Sequence, residues 1–504
     1  MIIKIDRNTK TPIYIQIRNQ IRSMIFDGQL PAGFILPPER KLADSLGINR
    51  STVLNAYREL KADGLVDSHV GKGTIVQSHL TEVSKGGGVI NPPQWRQFFS
   101  QMAERSTMPL LRELLETANR EDIISFAAGI SGLEMDPIET LVGMETDLIN
   151  QPSHFALKHT PTEGFLSLRE NIALLMEKRG VSCSIEEIMV LSGSQQGIDL
   201  AARVFIDPGD VIIVEEPSFF SALQIFQSVG ARVMGVPVDE NGMQIDILEQ
   251  VLQRYRPKFI YTMPTYQNPS GVSMSLERRK ALIELAYKRK VLILEDDPYG
   301  ELRFEGNRLP PLKEIDKYGH VIYLSTFSKI LFPGIRIGWM VAPKPVINQF
   351  AMAKQMADLH ANSISQWIVD RFLSSGSLDQ HIKKICTEYE IRRDLMLESL
   401  MNNPIEGLKW NKPLGGFYLW CKLPERTPYS ALLVKAAQNG VVYVPGTAFY
   451  LGGREEEYIR LNYTYPPRES IKLGVDKLKK SISETLDSIP KTQKIRLSEI
   501  KPIV

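Results

Sequence analysis

Five short apolar runs, at residues 189–191, 211–214, 259–261, 291–294 and 321–324, do most to limit what this chain can fold into. Each reads as a buried strand of the kind that parallel sheets use, and each leads directly into a polar segment. In α/β proteins the loops just beyond such strands are where ligands are kept. The last run delivers Ser325-Thr326-Phe327-Ser328-Lys329, with Arg336 seven residues past the lysine. An amine flanked by two hydroxyls and followed by a guanidinium suits an aldehyde cofactor that carries a phosphate. Lys329 would form the Schiff base, while Thr326, Ser328 and Arg336 would hold the dianion. The first run leads into Ser192-Gly193-Ser194-Gln195-Gln196-Gly197 and an apolar helical stretch over 198–205. A glycine-bearing turn entering a helix offers free N–H groups and a positive dipole end, a second place for phosphate.

The N-terminal part obeys a different period. Thr11-Pro12 looks like a helix start, followed by Ile17, Ile21, Met24 and Ile25 at helical spacing up to Gly28. A second helix begins near Pro38-Glu39-Arg40 and stops at Gly47; a third starts at Asn49 or Arg50, turns Val53, Tyr57 and Leu60 inward, and stops at Gly64. Two short strands, 65–68 and 74–77, follow as a wing. The tight turn between helices two and three makes this a helix-turn-helix candidate for DNA, with a three-helix protein-interaction module as the alternative. Arg50, Ser51 and Thr52 stand at the start of the reading helix, while Arg40 and Lys72 are placed for phosphate or a groove edge.

At 504 residues the chain is expected to form two or more domains. Residues 1–80 hold 11 Lys and Arg against 7 Asp and Glu, in a chain whose net charge is +2, which fits a basic module on a neutral body. Residues 78–106, with Lys85-Gly86-Gly87-Gly88 and Asn91-Pro92-Pro93, read as a linker, and the aromatics Trp95, Phe98 and Phe99 on it are expected to dock on a domain. The stretch 107–490 forms the second domain and 491–504 a lysine-bearing tail. Three scattered cysteines give neither a disulfide framework nor a metal site, and the N-terminus has no signal-peptide run, so a cytoplasmic protein without membrane spans is expected.

Two resemblances follow from these residues. Residues 11–77, through Leu36-Pro37-Pro38-Glu39-Arg40-Lys41-Leu42-Ala43, Asn49-Arg50-Ser51-Thr52-Val53 and Glu59-Leu60-Lys61-Ala62-Asp63-Gly64-Leu65, strongly resemble GntR-family winged helices. Pro38 and Leu54 depart from that pattern. Residues 107–485 resemble fold-type I pyridoxal-phosphate (PLP) aminotransferases, which implies a mostly parallel central sheet with a smaller α+β C-terminal subdomain. The resemblance also implies roles. Ser194 and Gln195 hold phosphate, Phe219 stacks on the pyridine ring, Asn268 and Tyr299 bond its phenolic oxygen, Asp296 keeps its nitrogen protonated, and Arg460 clamps a substrate carboxylate. Asp297 is the alternative to Asp296. His159 stands where the family usually has a tyrosine that reaches the neighbouring subunit's phosphate.

A winged helix fused to an aminotransferase-like domain resembles the MocR bacterial regulators. That resemblance implies a homodimeric, DNA-binding transcription factor that senses an amino compound by aldimine exchange at Lys329, or senses PLP itself. The alternative is a working aminotransferase with a DNA-binding appendage.

Overall fold

The computed structural model describes residues 3, 5–6, 12–26, 29–31, 33–69, 73–77, 95–105, 122–150, 158–425, 427–452 and 457–488. They fall into two compact units, Met1–Glu104 and Arg105–Val504.

In the N-terminal unit, helix α1 (Ile13–Phe26) begins where the Pro12 carbonyl accepts the N–H groups of Ile15 and Gln16. Pro12 therefore caps the helix instead of filling its first turn; Thr11 and Gly28 lie outside the described residues. Helix α2 (Glu39–Leu46) ends at Gly47, whose φ of 61° is the left-handed geometry that glycine adopts without strain. Helix α3 (Arg50–Ala62) is capped by Asn49, whose side chain accepts from the Ser51 N–H. Strands β1 (Val66–His69) and β2 (Gly73–Val76) pair antiparallel, Val66 opposite Val76. Ile17, Ile21, Ile25, Leu42, Val53, Tyr57 and Leu60 are buried together, whereas Met24 is only partly buried.

Part of the expected linker belongs to this unit. Over the short 3-10 helix Trp95–Phe98, Arg22 Nη2 donates to the Gln97 carbonyl and Gln97 Nε2 to the Asp63 carbonyl, both at 3.3 Å. Docking through the aromatic rings is not what is found: Trp95, Phe98 and Phe99 are 64%, 71% and 51% exposed. The polar Gln97 contributes to the attachment.

The second unit is built on an eight-stranded sheet. Strand β3 (Ile124–Ser125) lies apart from it; the sheet contains β4 (Ile188–Leu191), β5 (Val211–Glu216), β6 (Arg232–Asp239), β7 (Gly242–Met243), β8 (Phe259–Thr262), β9 (Leu292–Asp296), β10 (Val321–Thr326) and β11 (Gly338–Val341). Their order is β4-β11-β10-β9-β8-β5-β6-β7. Strands β10, β9, β8, β5 and β6 are parallel, and β11 and β7 run antiparallel to their neighbours. The central strands β8 and β10 are buried along their whole length, as a sheet covered by helices on both faces requires, and so is β4 at the sheet's edge.

The smaller C-terminal part carries a four-stranded antiparallel sheet from β12 (Lys409–Trp410), β13 (Tyr418–Lys422), β15 (Val444–Pro445) and β16 (Tyr458–Asn462), while β14 (Val441–Val442) pairs with β3. No helix among the described residues is long and apolar enough to cross a membrane.

Candidate functional site

Strands β8, β9 and β10 end side by side, and the loops beyond them close one cavity of about 330 Å³ together with residues from β13, β15 and β16. Ser194, Gln195, Phe219, Asn268, Asp296, Tyr299, Thr326, Ser328, Lys329, Arg336 and Arg460 all line it. Residues separated by up to 266 positions are thus brought together, from Ser194 to Arg460.

Lys329 follows β10 on a single 3-10 turn and donates from Nζ to the Gly129 carbonyl at 2.6 Å. Burial, helped by the positive charges of Arg336 and Arg460, lowers its pKa to about 8. Across the cavity Asp296 ends β9 and accepts from the Tyr261 hydroxyl through Oδ2 at 2.9 Å. Burial raises its pKa to about 7. Its other oxygen, Oδ1, is buried without a hydrogen-bond partner among the described residues. A buried acceptor left open in this way calls for a donor from a ligand. Asp297, one residue on, points elsewhere: it accepts from Tyr323 at 2.8 Å and lines a separate cleft of about 440 Å³ with Arg179 and Glu301.

The opposite end of the cavity is a cradle for an anion. The helix Ser194–Phe205 presents its N-terminus there after Gly193, whose φ is 84°. A Cβ on Gly193 would lie 2.5 Å from Arg336 Nη2, so the approach of backbone and guanidinium depends on glycine. Arg336 donates to Ser328 Oγ at 3.1 Å and to the Ser192 carbonyl at 3.0 Å, and Thr326 Oγ1 lies 3.1 Å from Ser328 Oγ. Two hydroxyls, a guanidinium and a helix N-terminus therefore converge where a phosphate would sit.

At the third wall, Arg460 on β16 donates to Asn268 Oδ1 at 3.0 Å and to the Ala127 carbonyl at 2.9 Å. Tyr299 donates to the Tyr418 hydroxyl at 3.2 Å. Tyr418, Phe449 and the carbonyls of Ala127 and Gly129 were not anticipated from the sequence. Tyr418 and Phe449 lie on a strand and a turn of the C-terminal part, and no short motif in the sequence pairs either with Arg460. His159 is exposed, with Nδ1 3.1 Å from His360 Nε2.

In the N-terminal unit Arg40, Arg50 and Ser51 are exposed and Thr52 is half-buried. Arg50 is held by Glu39, Nη2 to Oε2 at 3.0 Å. Lys72 lies outside the described residues.

A parallel-sheet domain with a half-buried lysine facing an open carboxylate and a phosphate cradle defines a PLP-binding protein of the fold-type I class. The comparisons with known proteins agree: residues 134–478 match aminotransferase class I and II, and residues 13–76 match bacterial regulatory proteins of the gntR family. The chain belongs to the class I and II aminotransferase family, joined in one polypeptide to a GntR winged helix, the MocR arrangement.

It is 42% identical over 398 residues to aromatic-amino-acid aminotransferase 1 of Thermococcus litoralis, covering 78% of this chain and 95% of that protein. It is 31% identical over 476 residues to the uncharacterized HTH-type transcriptional regulator YdfD of Bacillus subtilis, covering 94% of this chain and 97% of the relative. Among solved structures, the kynurenine aminotransferase of Pyrococcus horikoshii in complex with PMP is similar at 41% identity and a TM-score of 0.75, over 78% of this chain and 98% of that one.

The cofactor is pyridoxal 5'-phosphate. The residues present fit it: an amine for its aldehyde, a cradle for its phosphate, and the open Asp296 Oδ1 for its ring nitrogen.

Proposed function

We propose that the protein is a PLP-dependent transcription regulator that binds DNA through its winged helix and senses an amino acid in its aminotransferase-like domain. The observation that supports this reading is the joining in one chain of a helix-turn-helix, with Arg50 and Ser51 exposed at the start of α3, and a cavity that gathers Lys329, Asp296, Arg336 and Arg460. Bound in that cavity, PLP supplies an aldehyde that takes up a primary amine and a ring that withdraws electrons from it.

The chain's own residues then divide the work. Asp296 receives the ring N–H, the Ser194 to Arg336 cradle holds the phosphate, and Phe219 covers the ring face. Arg460, free to exchange its bonds to Asn268 and Ala127, takes the α-carboxylate of the incoming ligand. The remaining wall includes Ile130, Phe220, Met263, Pro298 and Val444, with no charged group among the described residues left unassigned. That favours an effector with an uncharged, apolar side chain. On α3, Arg50 and Ser51 contact DNA while Arg40 and Lys72 approach phosphate. The class I and II aminotransferase fold suggests a homodimer, and two winged helices would then call for a repeated half-site.

A second reading has its own support. Lys329, with a pKa lowered to about 8, is suited to move the α-proton of a bound amino acid, so catalytic turnover is the competing function. One experiment separates the two. The visible spectrum of the PLP-loaded protein is followed during titration with amino acids, alongside operator binding. A stable spectral shift together with a change in DNA affinity supports the regulator. Conversion to the pyridoxamine form, reversed by a keto acid, with DNA affinity unmoved, supports the enzyme.

A further inference from the structure

Arg460 is one of the largest fully buried side chains, and its guanidinium is flanked by aromatic rings. Its Cζ lies 4.2 Å from the ring centroid of Tyr418 and 5.2 Å from that of Phe449. Both rings are themselves buried, Tyr418 at 1% exposure and Phe449 at 0%. The placement follows from strand pairing. Trp420 stands opposite Arg460 and Tyr418 opposite Asn462, so Tyr418 is the diagonal neighbour of Arg460 on one face of the β13–β16 pair. Arg460 Nε is buried without a hydrogen-bond partner among the described residues, and its two terminal nitrogens hold only Asn268 Oδ1 and the Ala127 carbonyl. No carboxylate among the described residues pairs with it. Hydrogen bonds to neutral oxygens and the negative faces of aromatic rings are what compensate this buried cation.

We propose that Tyr418 is a positioning residue for carboxylate recognition: its ring fixes the guanidinium of Arg460 so that the terminal N–H groups face the cavity. The proposal rests on the reading of Arg460 as the carboxylate seat. Compensation by a ring, in place of an acidic side chain, leaves the positive charge unneutralised and available to a ligand. An Asp or Glu at this distance would hold the cation equally well and would compete with the incoming carboxylate. The same side chain accepts a hydrogen bond from Tyr299 through its hydroxyl, so the ring and the hydroxyl of Tyr418 serve two different neighbours and can be tested separately.

The test uses the full-length, PLP-loaded protein and two probes that differ only in the carboxylate, L-phenylalanine and 2-phenylethylamine. Their apparent dissociation constants are read from the visible spectrum. The wild type is expected to prefer L-phenylalanine. Tyr418→Leu is expected to lose that preference on the order of tenfold, the size of a desolvated cation–ring contact, with 2-phenylethylamine binding little changed. Tyr418→Phe keeps the ring and should keep the preference. Phe449→Leu, at the longer distance, should lose a smaller part of it, and supplies the answer if Tyr418→Leu does not fold.

Wild-type preference in Tyr418→Leu, or in Phe449→Leu where that variant must stand in, overturns the proposal. So does an equal loss in Tyr418→Phe and Tyr418→Leu, which would assign the effect to the hydroxyl. A wild type that binds the two probes equally refutes the Arg460 reading, and the proposal falls with it.

Discussion

The proton on Lys329 decides when this chain can capture its cofactor, because only the neutral amine attacks an aldehyde. With the pKa lowered from 10.5 to about 8, the neutral fraction grows as pH rises through about 8 instead of through the ordinary lysine range. The rate at which apoprotein acquires the PLP absorption band should therefore rise with pH and level off a unit or so above 8. A rate still climbing steeply at pH 10 would contradict the burial that causes the shift. Lys329→Ala should retain the fold and show no protein-linked visible band; an unchanged band would remove Lys329 from its role. At the same scale the sequence favoured Asp296 over Asp297 only through its spacing of three to Tyr299. Successive residues leaving a strand point to opposite sides, so adjacency alone cannot say which carboxylate enters the cavity. The register of β9 beside β10, with Leu324 level with Asp296, and the engagement of Asp297 by Tyr323 are three-dimensional facts.

Elements, more than single residues, were legible. Runs such as 211–214 and 321–324 announce buried strands because helices on both faces require apolar side chains on both faces. The anion cradle was readable from Gly193 and the helix after it, and it yields a prediction about that element. Gly193→Ala puts a side chain on a backbone with φ 84° and ψ 164°, a region essentially reserved for glycine, at a cost of about 1–3 kcal/mol, and drives a Cβ toward Arg336. PLP affinity, measured by titrating apoprotein, should fall at least on the order of tenfold. What stayed hidden were partnerships between elements far apart in the chain, such as β13 with β16, which create the aromatic surroundings of Arg460. Helix α3 offers a second prediction. Asn49→Ala removes its N-cap and should destabilise the N-terminal unit by about 1 kcal/mol, read from thermal unfolding. Arg50→Ala should instead leave stability nearly unchanged, since its pair with Glu39 is exposed, and weaken DNA binding with a shallower salt dependence, by about one unit of slope if it contacts phosphate. Operator affinity equal to wild type would take Arg50 out of the interface.

At the scale of the whole molecule, a regulator needs its ligand to distinguish two states, since an equal affinity for both shifts nothing. Full-length protein should bind operator with different affinity in the apo form, with PLP, and with PLP plus an apolar amino acid. Identical affinities in all three would leave the cavity without influence on DNA. One small feature sits at the end of α3. Gln97 ties the chain to Arg22 on α1 and to the carbonyl of Asp63, the residue that closes α3. A pull or twist arriving along the polypeptide at residue 97 would meet, among its contacts, the C-terminal end of the reading helix. The short 3-10 turn would then work as a cleat on a rope, a place on the N-terminal unit where load can be taken.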